Sequence, residues 1–143
     1  MAKIVTEDRD IKKILEETKS IAIIGLSPKP ERDSNKVGKF LKDNDFKIIP
    51  IRPAQKEILG EKAYKNLDDV ENPVDMVNVF RSSDQIMPHA EEAIRNGAKV
   101  FWMQLGIENN EAAKLLTDAG INVIMNRCTK IEYDKFFKKK ILV

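Results

Sequence analysis

Apolar segments rich in β-branched residues alternate with segments of helical periodicity along the chain of 143 residues, and this alternation predicts an α/β fold. The apolar segments lack the apolar–polar alternation of a half-exposed strand, which is typical of parallel strands buried on both faces. We therefore predict a doubly wound sheet of five parallel strands, in the order 3-2-1-4-5, with helices on both faces. Right-handed crossovers would then place a ligand beyond the carboxyl ends of the strands.

The first half of the chain contributes two helices and two strands to this prediction. Ile11, Ile14 and Leu15 recur at helical spacing, and Val37 and Leu41 do so in a second segment. Each helical segment is followed by an apolar run that reads as a strand. The predicted elements are a helix at 6–19, a strand at 20–24, a helix at 34–44 and a strand at 46–51.

The second half begins with a less regular crossover segment at 54–74, which turns at Gly60. Pro88 falls in the first turn of a later helix that ends at Gly97, and Gly120 ends the helix after that. Trp102 lies within an apolar run, so we predict that it belongs to the core. The remaining elements are strands at 74–80, 98–103 and 121–125, and helices at 83–97, 109–120 and 131–140.

The composition restricts the classes of function. The net charge of +2 does not indicate a nucleic-acid partner, and no apolar run approaches the ~20 residues of a membrane helix. The N-terminus lacks the apolar stretch of a signal peptide, so we expect a single cytoplasmic domain over residues 1–143. The single cysteine, Cys128, allows no intramolecular disulfide and no cysteine cluster for zinc.

The first strand ends at Gly25-Leu26-Ser27-Pro28, and a helix follows that contains Lys36 near its start. A strand, a glycine turn and a helix N-terminus together present backbone N–H groups to a phosphate, and we count Lys36 among the binding residues. A simple turn is the alternative role for Gly25, and loop bracing is the alternative for Ser27.

The pattern disfavours NAD. No G-x-G-x-x-G follows the first strand, and Arg52-Pro53 stands at the end of the second strand, where NAD-binding proteins carry an acid. A guanidinium there favours a phosphate on the adenosine ribose, as in NADP or coenzyme A. A Walker loop is also missing.

Five segments together resemble the small stand-alone CoA-binding proteins, which are similar to the nucleotide-binding domain of the succinyl-CoA synthetase α subunit. These segments are Ile24-Gly25-Leu26-Ser27, Arg52-Pro53, residues 75–82, residues 102–107 and Asn126-Arg127-Cys128. The family often has Asn-Pro where this chain has Arg-Pro. The resemblance covers about residues 20–133 and implies a Rossmann-like fold that binds coenzyme A.

The resemblance also implies a role for each loop. Gly25, Leu26, Ser27 and Pro28 would cradle the pyrophosphate, and Arg52 and Pro53 would lie by the adenosine phosphate. Val79, Phe80 and Arg81 would flank the nucleotide, with an ion pair to Asp84 as the alternative role for Arg81. Met103, Gln104 and Gly106 would line the path of the pantetheine arm.

Cys128 follows the last strand at the ligand edge, and Arg127 and a helix N-terminus beside it favour a reactive thiolate. A mixed disulfide between Cys128 and coenzyme A is therefore one hypothesis, and an inert buried thiol is the other.

His89 is the single histidine, and its position inside a helix indicates packing, so we expect no catalytic residue. The prediction is a non-catalytic carrier, sensor or store of CoA or acyl-CoA. The alternatives are a small NADP-dependent or CoA-linked enzyme and a regulatory subunit of a larger ligase. A protein partner or a homodimer is possible in each case.

Overall fold

A computed structural model describes residues 2–138, and its main feature is a five-stranded parallel sheet with helices on both faces. The fold class is therefore confirmed. In chain order the elements are α1 (Asp8–Glu17), β1 (Ser20–Ile24), α2 (Asp33–Asp43), β2 (Lys47–Ile51), β3 (Glu57–Ile58), β4 (Glu61–Lys62), β5 (Met76–Val79), α3 (Ile86–Asn96), β6 (Val100–Met103), α4 (Asn110–Asp118), β7 (Asn122–Ile124) and α5 (Thr129–Phe137).

The helix predicted at 131–140 begins two residues earlier, at Thr129, and ends at Phe137. Lys139 and Lys140, which the prediction included, lie outside the described residues. The crossover at 54–74 contains a small antiparallel hairpin of β3 and β4, with Gly60 at its turn. Among residues 2–138, no helix is both long enough and apolar enough to cross a membrane.

Successive residues of each strand face two separate cores, one on each side of the sheet. Ala22 and Ile24 of β1 pack in the core that α3 and α4 cover, whereas Ile21 and Ile23 pack in the core under α1, α2 and α5. Burial on both faces explains why the strands are continuously apolar. Trp102 is fully buried, and its Nε1–H donates to Arg127 O at 2.7 Å, which confirms its place in the core.

The predicted strand order was wrong. The sheet runs β2-β1-β5-β6-β7, so the third long strand pairs with β1 instead of with β2. The outer edge of β2 is occupied by Tyr64, whose N–H donates to Pro50 O at 2.9 Å and whose carbonyl accepts from Arg52 N at 2.8 Å. Because β5 lies beside β1, the switch point of the sheet falls between these two strands, and the loops after them flank it.

Candidate functional site

Gly25 ends β1 in a conformation that only glycine adopts without strain. Its φ is +84°, and a Cβ atom there would lie 2.5 Å from Phe80 O, in the loop after β5. The β1 loop therefore approaches the β5 loop directly at the switch point. Turn geometry and the close approach both require a glycine at this position.

The β1 loop is braced against the N-terminus of α2 by buried polar groups. Ser27 N donates to Ser34 Oγ at 3.0 Å, and the amide of Asn35 donates to Ser27 O at 2.8 Å. The Ser27 hydroxyl accepts from Lys29 N at 3.1 Å, so it stabilises the loop itself. No side chain caps α2, whose first turn has backbone N–H groups without an intrahelical partner. The loop is thus held in place with these donors available to an anion.

Two adjoining clefts lie beside Gly25 at the carboxyl edge of the sheet. The arginine cleft, which contains Arg52 and His89, has a volume of about 350 Å³. The loop cleft, which contains Ser27 and Pro28, has a volume of about 590 Å³. Gly25 and Arg52 line both clefts, so they form one surface.

Two further clefts continue along the edge towards β7. The central cleft, about 720 Å³, shares Phe80 with the loop cleft and is lined by Lys36 as well. The outer cleft, about 430 Å³, shares Leu105, Cys128 and Ile131 with the central cleft. Leu105 is 63% exposed and Ile131 56% exposed, so an apolar rim stands where the two clefts meet. The four clefts form one groove along the carboxyl edge.

The arginine, loop and central clefts are rich in cations that form no salt bridge within residues 2–138. Among residues 2–138, none of them has a carboxylate within the 4.0 Å limit of a salt bridge, unlike Arg95, which pairs with Asp68 at 2.9 Å. Unpaired positive charge in a concave surface attracts anions. These cations are Lys29, Arg32, Lys36, Arg52, Lys65, Arg81 and Lys130, and the carboxylates in the same clefts are Asp33, Glu92 and Asp134.

Gln104 lies beneath the central cleft in a buried carboxamide–hydroxyl network. Its Nε2 donates to Asn78 Oδ1 at 2.7 Å and lies 3.0 Å from Thr129 Oγ1, which also accepts from Asn78 Nδ2 at 3.2 Å. Asn78 and Thr129 are fully buried, and Gln104 is 4% exposed. The network joins β5, the loop after β6 and the start of α5, so it fixes the floor of the groove.

Cys128 stands at the junction of the central and outer clefts, half-buried, immediately before α5. Arg127 was expected to favour its thiolate. That guanidinium instead pairs with Glu132 Oε1 at 3.0 Å and donates to Thr6 O at 3.2 Å. The charge of Arg127 is therefore already engaged, and the case for a reactive thiol rests on the position of Cys128 in the groove.

Most of the predicted binding residues line this groove. Gly25, Ser27, Pro28, Lys36, Arg52, Pro53, Phe80, Arg81, Gln104 and Cys128 do so. The side chains of Leu26, Val79 and Met103 are instead fully buried in the cores, so only their backbone is available to a ligand. Gly106 is exposed, and its N–H donates to Asn126 Oδ1 at 2.6 Å. Asp84 accepts from the Ser82 hydroxyl at 2.6 Å and has no ion pair with Arg81.

The arginine cleft contains a histidine–carboxylate pair that the sequence reasoning did not place there. His89 Nδ1 lies 2.9 Å from Glu92 Oε1, and both side chains line the cleft. In a βαβ unit the helix begins at the carboxyl edge of the sheet, so residues in the first two turns of α3 lie near that edge. The position of His89 near the start of this helix could therefore have predicted that it lies at the carboxyl edge. Lys65 lies at the cleft because the preceding residue, Tyr64, pairs with the edge of β2. The sequence contains no comparable signal for this pairing.

The profile of the CoA binding domain family matches residues 19–134 of the chain. This chain belongs to the CoA-binding domain family. The uncharacterized protein YneT of Bacillus subtilis (strain 168) is 44% identical over 124 residues, which cover 87% of this chain and 92% of that protein. A solved structure, a hypothetical protein from Pyrococcus horikoshii OT3, is 36% identical with a TM-score of 0.88, covering 95% of this chain and 97% of that one.

A larger relative places the CoA-binding domain in a ligase. The acetate–CoA ligase (ADP-forming) of Methanocaldococcus jannaschii is 37% identical over 81 residues, which cover 57% of this chain and 12% of the ligase. The resemblance to CoA-binding proteins and the Rossmann-like fold are thus confirmed. The groove at the carboxyl edge is where this fold binds its ligands.

Proposed function

We propose that the protein binds coenzyme A along the groove and acts as a non-catalytic carrier, sensor or store of the cofactor. The observation that carries this proposal is the polarity of the groove: five cations without an acid partner among residues 2–138 line the two clefts at Gly25, and the exposed side chains of Leu105 and Ile131 form an apolar rim beside Cys128. Coenzyme A has the same polarity, with phosphates at the nucleotide end and a neutral pantetheine arm that ends in a thiol.

The pyrophosphate fits the loop cleft. The braced β1 loop and the uncapped start of α2 supply backbone N–H groups, and Lys29 and Arg32 supply charge. Arg52 lines both this cleft and the arginine cleft and is assigned to the adenosine phosphate. The arm would then run over Phe80 and through the central cleft to the apolar rim at Leu105 and Ile131.

The absence of catalysis is part of the proposal, and the separation of the reactive groups supports it. His89 and Glu92 line the arginine cleft, whereas Cys128 lines the central and outer clefts. A thioester on the pantetheine arm would lie near Cys128, away from the His89–Glu92 pair. General acid–base catalysis needs the base within hydrogen-bond reach of the reacting group.

Titration calorimetry with CoA, dephospho-CoA, NAD and NADP tests the ligand assignment. We expect CoA to bind most tightly and NAD most weakly, because NAD offers neither a phosphate on the adenosine ribose nor a pantetheine arm. Tighter binding of NADP than of CoA would overturn the assignment. Equal affinities for CoA and dephospho-CoA would remove the assignment of Arg52 and its cleft to the adenosine phosphate, and CoA binding itself would stand.

We also propose that Cys128 forms a mixed disulfide with the cofactor when CoA disulfide is supplied. The Cys128 thiolate attacks one sulfur of CoA disulfide, a protein–CoA disulfide forms, and the second CoA leaves as a thiolate. Intact-mass spectrometry after incubation should show one adduct that reduction removes. No adduct on the wild-type protein, or an adduct on Cys128→Ser, would contradict this step.

The His89–Glu92 pair favours one second candidate, a CoA-linked enzyme. Incubation with short-chain acyl-CoA thioesters, with free thiol measured over time, tests it. Thiol release that requires His89 would replace the non-catalytic proposal. Release at the rate of a protein-free control would retain it.

A further inference from the structure

His89 is held in one orientation by two successive hydrogen bonds. Its Nδ1 lies 2.9 Å from Glu92 Oε1, and Glu92 Oε2 accepts from Leu67 N at 2.9 Å. The side chains of His89 and Glu92 are 20% and 13% exposed, respectively. Since Glu92 is fixed by the backbone and accepts from Nδ1, the ring nitrogen Nε2 is the one available to a ligand.

The charges around His89 favour an anion. Arg52, Lys65 and Arg81 line the same cleft, and among residues 2–138 Glu92 is its single carboxylate. Both oxygens of Glu92 already accept hydrogen bonds, which reduces its repulsion of an incoming anion. None of the three cations has an acid partner among residues 2–138. Three cations and an imidazole around one cleft match the charge of a phosphate monoester.

We propose that the arginine cleft is a phosphate-monoester site in which His89, as the imidazolium whose Nδ1–H donates to Glu92, donates from Nε2 to a phosphate oxygen, and Arg52 and Arg81 supply further charge. This inference rests on the proposed function, under which the occupant of the cleft is the phosphate on the adenosine ribose of coenzyme A. The loop cleft, which shares Gly25 and Arg52 with this cleft, then holds the pyrophosphate next to it. His89 is a specificity-determining residue that distinguishes CoA from dephospho-CoA.

Calorimetry on the full chain with CoA and with dephospho-CoA tests this site. His89→Phe keeps a ring of similar size but removes the donor, and we expect it to weaken CoA binding roughly tenfold, as for a hydrogen bond to a charged group. Its affinity for dephospho-CoA should stay within about twofold of wild type, since that ligand lacks the phosphate. His89→Gln restores an amide donor, so it should recover part of the preference for CoA.

The outcomes separate this inference from the proposed function. If neither CoA nor dephospho-CoA binds the wild-type chain, the proposed function fails. If both bind and His89→Phe weakens them equally, or changes neither, the phosphate site fails while CoA binding stands. Adenosine 3′,5′-bisphosphate and inorganic phosphate distinguish the source of the anion. Competition by the bisphosphate supports the ribose phosphate, and displacement of CoA by inorganic phosphate alone at equal concentration overturns it.

Discussion

At the amino edge of the sheet Asp75 is paired with backbone N–H groups and a lysine, whereas seven cations in the clefts of the carboxyl edge have no acid partner among residues 2–138. At the amino edge, Asp75 Oδ2 accepts from Lys19 N at 2.9 Å and from Ser20 N at 3.2 Å, and Ser20 Oγ accepts from Asp75 N at 3.0 Å. Lys99 Nζ completes the cluster 3.6 Å from Asp75 Oδ1.

The pairing at the amino edge affects the pKa of Asp75. Burial opposes its ionised form, but the backbone N–H groups of Lys19 and Ser20, together with Lys99, outweigh burial and lower the pKa of Asp75 below its usual value. The amino edge therefore stabilises the fold, and the carboxyl edge offers charge and backbone donors to a ligand. Substitutions should separate these two roles.

Gly25→Ala should have the largest effect, because it strains the backbone of the β1 loop and also places a methyl group against the β5 loop. We expect a loss of about 3 kcal/mol of unfolding free energy, from the left-handed backbone and the clash with Phe80 O. Gly120→Ala is the matched control, with a φ of +88° and no atom within 4 Å of the added Cβ, and should cost about 1 kcal/mol. Urea denaturation measures both, and equal losses would contradict the close approach at Gly25.

Asp75→Asn should have the next largest effect, on stability and not on CoA affinity. We expect a loss of about 1–2 kcal/mol at neutral pH, because hydrogen bonds to a charged acceptor are replaced by bonds to a neutral one. Since folding lowers the pKa of Asp75, its stabilisation is present above the unfolded-state pKa, about 3.9, and is lost as the pH falls through the lower folded-state value. Denaturation of both proteins from pH 7 to pH 2.5 should therefore show their difference shrinking below about pH 4. A difference that grows in acid would contradict the assignment.

Arg52→Met should have the smallest effect on stability, within about 0.5 kcal/mol, because no acid among residues 2–138 loses a partner and the hydrogen bond that is lost, from Arg52 Nη1 to Leu26 O, is long at 3.4 Å. We expect CoA affinity to fall about tenfold by calorimetry. Arg95→Met is the matched variant with a paired cation, since Arg95 contacts Asp68 through two hydrogen bonds of 3.0 and 2.9 Å. It should lower stability more than Arg52→Met and leave CoA affinity unchanged. The reverse pattern would contradict the contrast between the two groups of cations.

Much of the fold followed from local signals. The strands at 20–24 and 46–51 were predicted to within a residue, since burial on both faces makes them continuously apolar. Gly97, with a φ of +83°, ends α3 as predicted. The strand order could not be obtained in this way, because β5 is apolar enough to pair with either edge, and the choice depended on Tyr64 covering β2.

The residues of the candidate site also fall into those that local sequence signals predict and those that depend on the tertiary structure. Gly25 and Arg52 were found because a glycine or a charge just past a strand lies at the carboxyl edge in any arrangement of parallel strands. Leu26 and Val79 were included with them, but their side chains are buried in the cores, since facing direction depends on the local backbone. His89 was assigned to helix packing instead, because its position in the groove depends on how α3 lies against β1 and β5.

The sequence by itself determined the α/β class and the resemblance to the CoA-binding family, because both depend on residue patterns at short range along the chain, and it predicted a ligand at the carboxyl edge. Only the tertiary structure decided the strand order, the continuity of the four clefts and the meeting of His89, Arg52 and Arg81. These three residues are distant in sequence, and the pairing of β5 with β1 brings their loops together.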